Sequence, residues 1–271
     1  MQAYDVKTAD GLTLNVRRWN DEENQHSRAI VIIHGIGEHQ GRYAHVAKYF
    51  IKRGYEVYSY DQRGHGLSDG KRGHSHGVES NLDDLDAVLE TVQCDQLFLY
   101  GHSFGGNVLV NYLLNRSNSK LNAAVLSGAW MWLKNKPSGF EFALAKAMNS
   151  IFPSFTQNNK IDVTALSSID QVGVDYLNDP LVHPKISVGL FMDFYPAGLK
   201  AIENAVELKI PTLLIHGEDD RIVDPEGSRE FAKNAGAISE LRIYSDTRHE
   251  LHNDTRAEEI LEGVVEWLNE K

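Results

Sequence analysis

The chain has 271 residues, of which 42% are hydrophobic and 24% charged, and its formal net charge is −11. This balance is typical of a globular protein and excludes a disordered or fibrous chain, and the lack of a dense Lys and Arg block excludes nucleic acid as a partner. Residues 1–10 do not resemble a signal peptide and no apolar run has membrane-spanning length, so we expect a cytoplasmic protein. Cys94 is the only cysteine, which excludes an intramolecular disulfide.

The chain opens with a predicted hairpin, since residues 13–19 alternate polar and apolar side chains and residues 4–8 can form the partner strand. Continuous apolar runs follow, as in strands buried on both faces of a parallel sheet. The later predicted strands are residues 29–33, 96–100, 123–126, 211–215 and 241–244. The predicted helices are residues 42–53, 82–92, 104–115, 227–234 and 258–269. This alternation predicts an α/β fold with a mostly parallel central sheet flanked by helices.

Residues 130–195 interrupt the alternation, because strand patterning disappears and residues 140–152 carry a helical apolar stripe. The segment either packs entirely on the sheet or forms a lid over a lipophilic pocket. Its many aromatic and aliphatic side chains favour the lid. We therefore predict a core of residues 1–129 and 196–271, with a helical cap insertion at 130–195.

Ser103 is the predicted nucleophile. It is the centre of the sequence Gly-His-Ser-Phe-Gly at residues 101–105, which follows a predicted strand and precedes a predicted helix. A strand, a sharp turn and a helix are what a nucleophile elbow requires, and small residues on both sides give the strained turn its room.

A serine hydroxyl needs a base, which an acid must orient. Carboxylates cluster after the strand at 211–215, where Asp219 and Asp220 are equally suited by pattern alone. Asp224 is better explained as the cap of a helix that begins at a proline. His249, in the loop after the last strand, is the natural base, and His252 is its competitor.

The tetrahedral intermediate needs two hydrogen-bond donors. We expect the first to be the backbone N–H of Phe104, the residue after the nucleophile. The second candidate is the backbone N–H of Ile36, in a glycine-containing loop after an earlier strand. His34 then has a structural role in holding that loop.

The histidines around residues 65–76 are the densest such group, but their spacing is not that of a zinc site and no cysteine accompanies them. The sequence also contains neither a phosphate-binding loop nor a dinucleotide fingerprint. We predict no metal and no cofactor.

The segments 34–43, 61–70, 101–106 and 176–183 resemble the monoacylglycerol lipase and lysophospholipase family of α/β-hydrolases, a group sometimes classed with the serine aminopeptidase-like hydrolases. The resemblance implies an α/β-hydrolase fold. The family's G-x-x-D pattern falls on Gly217 and Asp220, which implies that Asp220 is the triad acid. Phe104 departs from the Met that the family often carries, which could narrow the pocket.

The resemblance also implies a membrane-facing cap over an acyl tunnel, with the polar head group near the first oxyanion loop. Four side chains could contact that head group: Glu38, Arg42, His102 and Tyr176. Glu38 and Arg42 could instead pair with each other on a solvated face, since they are four residues apart.

The leading functional hypothesis is a serine carboxylic ester hydrolase that cleaves monoacylglycerol or a similar single-chain lipid through an acyl-enzyme. Its partner is then a small lipid ester, with transient membrane-surface contact through the cap; the cap's apolar rim could equally support dimerisation. A lysophospholipase, a small-ester esterase, an acyltransferase or an aminopeptidase could use the same site. A hydrolase-like binding protein without turnover is the alternative from another class.

Overall fold

The structure, a computed structural model, describes residues 1–19 and 27–271. Its strands are β1 (Gln2–Lys7), β2 (Thr13–Arg18), β3 (Arg28–Ile33), β4 (Glu56–Tyr60), β5 (Gln96–His102), β6 (Leu121–Ser127), β7 (Thr156–Asn158), β8 (Lys185–Ser187), β9 (Thr212–Gly217) and β10 (Ser239–Tyr244). Its α-helices are α1 (Ala44–Ile51), α2 (Val78–Glu90), α3 (Phe104–Asn115), α4 (Gly139–Ile151), α5 (Asp170–Asn178), α6 (Val188–Glu203), α7 (Pro225–Ala235) and α8 (Ala257–Asn269).

Eight strands form one sheet in the order β1-β2-β4-β3-β5-β6-β9-β10. The hairpin β1–β2 and the pair β2–β4 are antiparallel, and every later pair in that order is parallel. The mostly parallel sheet predicted from the apolar runs is therefore confirmed. Its parallel strands end at one edge, where open α/β sheets build their sites.

Each face of the sheet carries its own apolar core, because successive side chains of a strand point to opposite faces. Ile30 and Ile32 of β3 pack with α1 and α8, whereas Val31 and Ile33 pack with α2, α3 and α7. These flanking helices match the five predicted ones to within a few residues, and α3 matches at both ends.

Strand β4 was not predicted, because its polar residues Glu56 and Ser59 interrupt the apolar pattern. Both are buried and hydrogen-bonded, Glu56 to Arg18 and the Ser59 hydroxyl to Gln40, and Trp19 donates to Ser59. Tertiary partners thus satisfy polar groups that the local pattern could not explain.

Residues 130–195 contain α4, α5, the first half of α6 and a small antiparallel sheet of β7 and β8. The predicted helix at 140–152 corresponds to α4, and the two strands were missed because three residues are too few to show alternation. Helix α6 continues past residue 195, and the Asn107 side chain of α3 donates to the carbonyls of both Trp130 and Phe194, at 2.6 and 2.9 Å. The segment is therefore tied to α3 at both ends.

Candidate active site

Ser103 lies in the turn between β5 and α3 with a φ of 52°, a left-handed conformation that is rare for a serine. The neighbouring backbone is packed too closely for side chains: a Cβ on Gly105 would lie 2.2 Å from the carbonyl oxygen of Ile33, and one on Gly101 would lie 2.6 Å from that of Gly105. The predicted strand, tight turn and helix around Ser103 are all present. Backbone strain of this kind concentrates at functional sites.

His249 lies in the loop after β10 and is buried against Ser103. Its Nε2 accepts a hydrogen bond from the Ser103 hydroxyl at 2.9 Å, and its Nδ1 donates to the Asp220 carboxylate at 2.6 Å. Burial alone would lower the pKa of His249, but the charge and hydrogen bond of Asp220 raise it above its ordinary value. The Nε2 lone pair of the imidazole is therefore placed to accept the proton of the Ser103 hydroxyl.

Asp220 follows β9 and is held by several donors at once. One carboxylate oxygen accepts from His249 and, at 3.2 Å, from His216, while the other accepts from the backbone N–H groups of Ile222 and Val223 at 2.8 and 2.9 Å. Burial would raise the pKa of Asp220, but the charge of His249 and the hydrogen bonds from His216 and His249 lower it well below its usual range. The acid is therefore ionised and fixed in orientation.

The residues that competed for these positions lie elsewhere. Asp219 is exposed, and Asp224 caps α7 by accepting from the Glu226 N–H, as predicted. His252 is buried and stacks on the Tyr43 ring at a centroid distance of 4.7 Å, with no hydrogen-bond partner for its ring nitrogens in the described part of the chain.

The loop after β3 lies directly against the nucleophile, since a Cβ on Gly35 would be 3.3 Å from that of Ser103. His34 holds this loop, as predicted: its Nδ1 donates to the Gly35 carbonyl and its Nε2 accepts from the Gln62 N–H. Within residues 1–19 and 27–271, the N–H groups of Ile36 and Phe104 have no protein acceptor. Both donors are therefore free for a ligand oxygen.

Glu38 and Arg42 do pair with each other, at 2.5 Å, but not on a solvated face as the alternative interpretation held. Glu38 is buried and the Arg42 side chain is only 9% exposed. Arg42 also makes two hydrogen bonds to Glu250, at 2.6 and 2.8 Å. Burial would raise the pKa of Glu38, yet the neighbouring Arg42 lowers it to about 2. Glu250 was missed by sequence reasoning, although its position directly after His249 was a usable signal.

The other two head-group candidates are buried beside the same loop. The Nδ1 of His102 donates to the Ser127 carbonyl at 3.0 Å. The ring of Tyr176 lies under the Arg42 guanidinium at 4.9 Å, and the Tyr176 hydroxyl has no partner in the part of the chain that the structure describes.

A cavity of about 930 Å³ opens on Ser103 and Ile36 and extends under the segment 130–195. Its apolar wall is made by Trp130, Leu133, Leu144, Met148, Phe155, Ile186, Val188, Phe191, Ile222 and Val223. Among the described residues, Glu38, Arg42, His102 and Tyr176 do not belong to the cavity wall. Their contact with a head group stays a prediction from the resemblance.

The histidines considered as metal ligands have other partners: the Nδ1 of His65 donates to the Arg63 carbonyl, and His74 bonds with the Ser187 hydroxyl. Across residues 1–19 and 27–271, no three or more His, Cys, Asp or Glu side chains are grouped to hold a metal ion. No helix in those ranges has the length and apolarity needed to cross a membrane.

Comparison with known proteins gives consistent matches. The family described as serine aminopeptidase, S33 matches residues 24–256. A monoacylglycerol lipase of Mycolicibacterium smegmatis is 31% identical over 88% of this chain and 87% of its own. An uncharacterized abhydrolase domain-containing protein of Dictyostelium discoideum is 34% identical over 97% of this chain, which spans only 28% of that protein. The crystal structure of the Paleococcus ferrophilus monoacylglycerol lipase superposes with a TM-score of 0.86 at 32% identity and covers 99% of this chain and 98% of its own.

Proposed function

We propose that the chain, which belongs to the serine aminopeptidase S33 family and has the α/β-hydrolase fold, hydrolyses monoacylglycerol or a similar single-chain lipid ester. The observation that carries the proposal is the cavity, whose mostly apolar wall includes Ser103. Its volume lies at the upper end of the range of small-molecule sites. An acyl chain in this cavity would bring its ester carbonyl to Ser103.

In the proposed reaction the Ser103 Oγ attacks the ester carbonyl while the His249 Nε2 takes the hydroxyl proton. The carbonyl oxygen becomes an oxyanion, which the N–H groups of Ile36 and Phe104 stabilise. Collapse of the intermediate breaks the bond to the alcohol, which leaves with the proton held by His249. The acyl group stays on Ser103 as an ester.

Water then releases the acyl group. His249 removes a proton from the water as it attacks the acyl carbonyl, and the Ser103 oxygen leaves with that proton. Asp220 stays ionised throughout and stabilises the imidazolium formed in each half-reaction. The products are a free alcohol and a fatty acid.

The rim of the cavity favours a second candidate substrate, a lysophospholipid. Among the residues that the structure describes, three cations line the cavity, Lys136, Lys160 and Arg221, and two carboxylates, Glu141 and Asp162. This excess of positive charge stands out in a chain of net charge −11. A phosphate group would pair with these cations. An aminopeptidase gains no such support, because the cations on the cavity wall outnumber the carboxylates and would repel a substrate amine.

The proposal includes transient contact with a lipid surface by a cytoplasmic protein. In α4 the side chains of Phe140 and Ile151 are 79% and 71% exposed, and the following Phe152 is 61% exposed. Exposed apolar groups on the segment that covers the cavity suit a membrane surface, where the substrate is dissolved.

The test is turnover of monooleoylglycerol and of oleoyl lysophosphatidylcholine by the wild-type protein and by a Ser103→Ala variant, with fatty acid release as the measurement. We expect the wild type to release oleate and the variant to lose activity by about 10⁶-fold, as other triads do on loss of the nucleophile. Equal release by both proteins would overturn the mechanism. A wild type that neither turns over nor labels with a fluorophosphonate would indicate a binding protein.

A further inference from the structure

A buried cluster of three charged side chains, Glu38, Arg42 and Glu250, lies behind the proposed site. Arg42 stands between the two carboxylates, which are each 3% exposed, and bonds to Glu38 at 2.5 Å and to Glu250 at 2.6 and 2.8 Å. Removing ionised groups from water is costly, so this cluster needs the close pairing that it shows.

The two carboxylates belong to different loops. Glu250 follows His249 directly in the chain, so any bond to its side chain also restrains the loop of the proposed base. Glu38 ends the loop after β3, and its other oxygen accepts from the Gly35 N–H at 2.6 Å and from the Tyr43 hydroxyl at 2.7 Å. Arg42 therefore connects the loop of His249 with the loop of Ile36.

We propose that Glu250 is a positioning residue, which acts through Arg42 to fix the His249 loop against the Ile36 loop. The inference rests on the proposed function, because it assigns these loops the base and an oxyanion donor. Two loops on separate strand ends must keep their spacing to within a fraction of an ångström for proton transfer and oxyanion stabilisation to occur together. The Arg42 guanidinium is planar and bonds to Glu250 through two nitrogens, so it fixes both the distance and the orientation between the two loops.

The segment 130–195 is attached to the same cluster. The N–H of Glu250 donates to the Leu166 carbonyl at 2.7 Å, and that of His249 donates to the Ala165 carbonyl at 3.4 Å. Tyr176 packs under the Arg42 guanidinium. Glu250 is therefore held from the cap through its backbone and from the Ile36 loop through its side chain.

The experiment compares Glu250→Gln with wild type on two esters, p-nitrophenyl acetate and monooleoylglycerol. The first has neither a glycerol head group nor a long chain, so it responds to the spacing of the loops but not to head-group binding. We expect kcat to fall roughly 10- to 100-fold on both esters, with KM changed by less than about twofold.

Asp84→Asn is the matched control. Arg63 is also buried between two carboxylates, those of Asp84 and Asp10, and its bonds to Asp84 are 2.6 Å long. Asp84 makes no hydrogen bond to either catalytic loop among the described residues. Asp84→Asn weakens a buried ion pair that lies outside the catalytic loops, so it measures the loss of kcat caused by such a change alone. We expect kcat of Asp84→Asn to stay within about twofold of wild type.

The pH profile gives a second readout. Asp220, Glu250 and Glu38 each raise the pKa of His249, while the neighbouring rings of His102 and His252 stay neutral because burial lowers their pKa values. Glu250→Gln removes one of the negative charges, so the acid limb of kcat/KM should move to lower pH. Asp84→Asn should leave the limb in place.

Two results would overturn the inference. Unchanged turnover of p-nitrophenyl acetate with a raised KM for monooleoylglycerol would make the cluster a head-group site. An equal fall in kcat for Asp84→Asn would make the effect one of general stability. Failure of the wild type on both esters would refute the proposed function instead, so the two failures are distinguishable.

Discussion

Changing Asp220 to Asn tests the proposed triad with the smallest change of shape. One carboxylate oxygen of Asp220 accepts from the backbone N–H groups of Ile222 and Val223, so an amide at this position would keep its oxygen there. Its NH₂ group would then face the Nδ1 of His249, which at present donates to Asp220 at 2.6 Å. Two donors cannot share that contact.

The ring of His249 would therefore change tautomer. With its proton on Nε2, the imidazole would point an N–H at the Ser103 hydroxyl and could no longer accept the serine proton. The same change in a serine protease triad lowers kcat about 10⁴-fold, which corresponds to about 5.4 kcal/mol at 1.36 kcal/mol for each factor of ten. We expect a loss of that order in kcat, with little change in KM.

The assay is p-nitrophenyl ester hydrolysis under saturating substrate, with near-ultraviolet circular dichroism to check the fold. Asp219→Asn is the control, because Asp219 is the adjacent carboxylate and is exposed; it should retain wild-type kcat within about twofold. A loss of less than tenfold in Asp220→Asn, or a larger loss in Asp219→Asn, would refute the assignment.

Three further predictions follow from the same structure. Because His249 must be neutral to accept the serine proton and Asp220 raises its pKa, kcat/KM should fall as the pH drops through an apparent pKa above the ordinary 6.5, as measured by a pH–rate profile. Arg42→Met would leave two buried carboxylates without their cation, so the free energy of unfolding should fall by about 3–5 kcal/mol in urea titrations; a fall below 1 kcal/mol would contradict the buried pairing. Phe140→Glu should weaken sedimentation with phosphatidylcholine vesicles by roughly 10- to 100-fold, from the ~1.5–3 kcal/mol of burying such a ring, while p-nitrophenyl acetate turnover stays at the wild-type level.

The sequence was sufficient for those parts of the fold that local patterning controls. Continuous apolar runs predicted β3, β5, β6 and β9, since a strand buried on both faces needs apolar side chains at every position. Helix α3 was predicted at both ends because a glycine-rich turn precedes it and a polar segment follows. The chain order of nucleophile, acid and base also follows from the motifs and their places after strands.

The sequence was insufficient where a residue's role depends on a distant partner. Glu38 and Arg42 are four residues apart, which predicts an exposed helical pair, but the pair is buried because Glu250, more than two hundred residues later in the chain, completes it. The choice between Asp219 and Asp220 likewise needed tertiary structure or family resemblance, since neighbouring loop residues have the same local pattern.

The buried cluster and the strained serine turn have complementary roles in the proposed site. Ser103 is held in a left-handed conformation by the packing of Gly101 and Gly105 against neighbouring backbone, so the nucleophile has little freedom to adjust. A fixed nucleophile is productive only when the base and the oxyanion donors are fixed to it. Arg42, paired with Glu38 and Glu250, supplies that constraint for the loops of Ile36 and His249, whose strands β3 and β10 do not pair with each other. This role accounts for ionised side chains in a region that apolar side chains could otherwise fill.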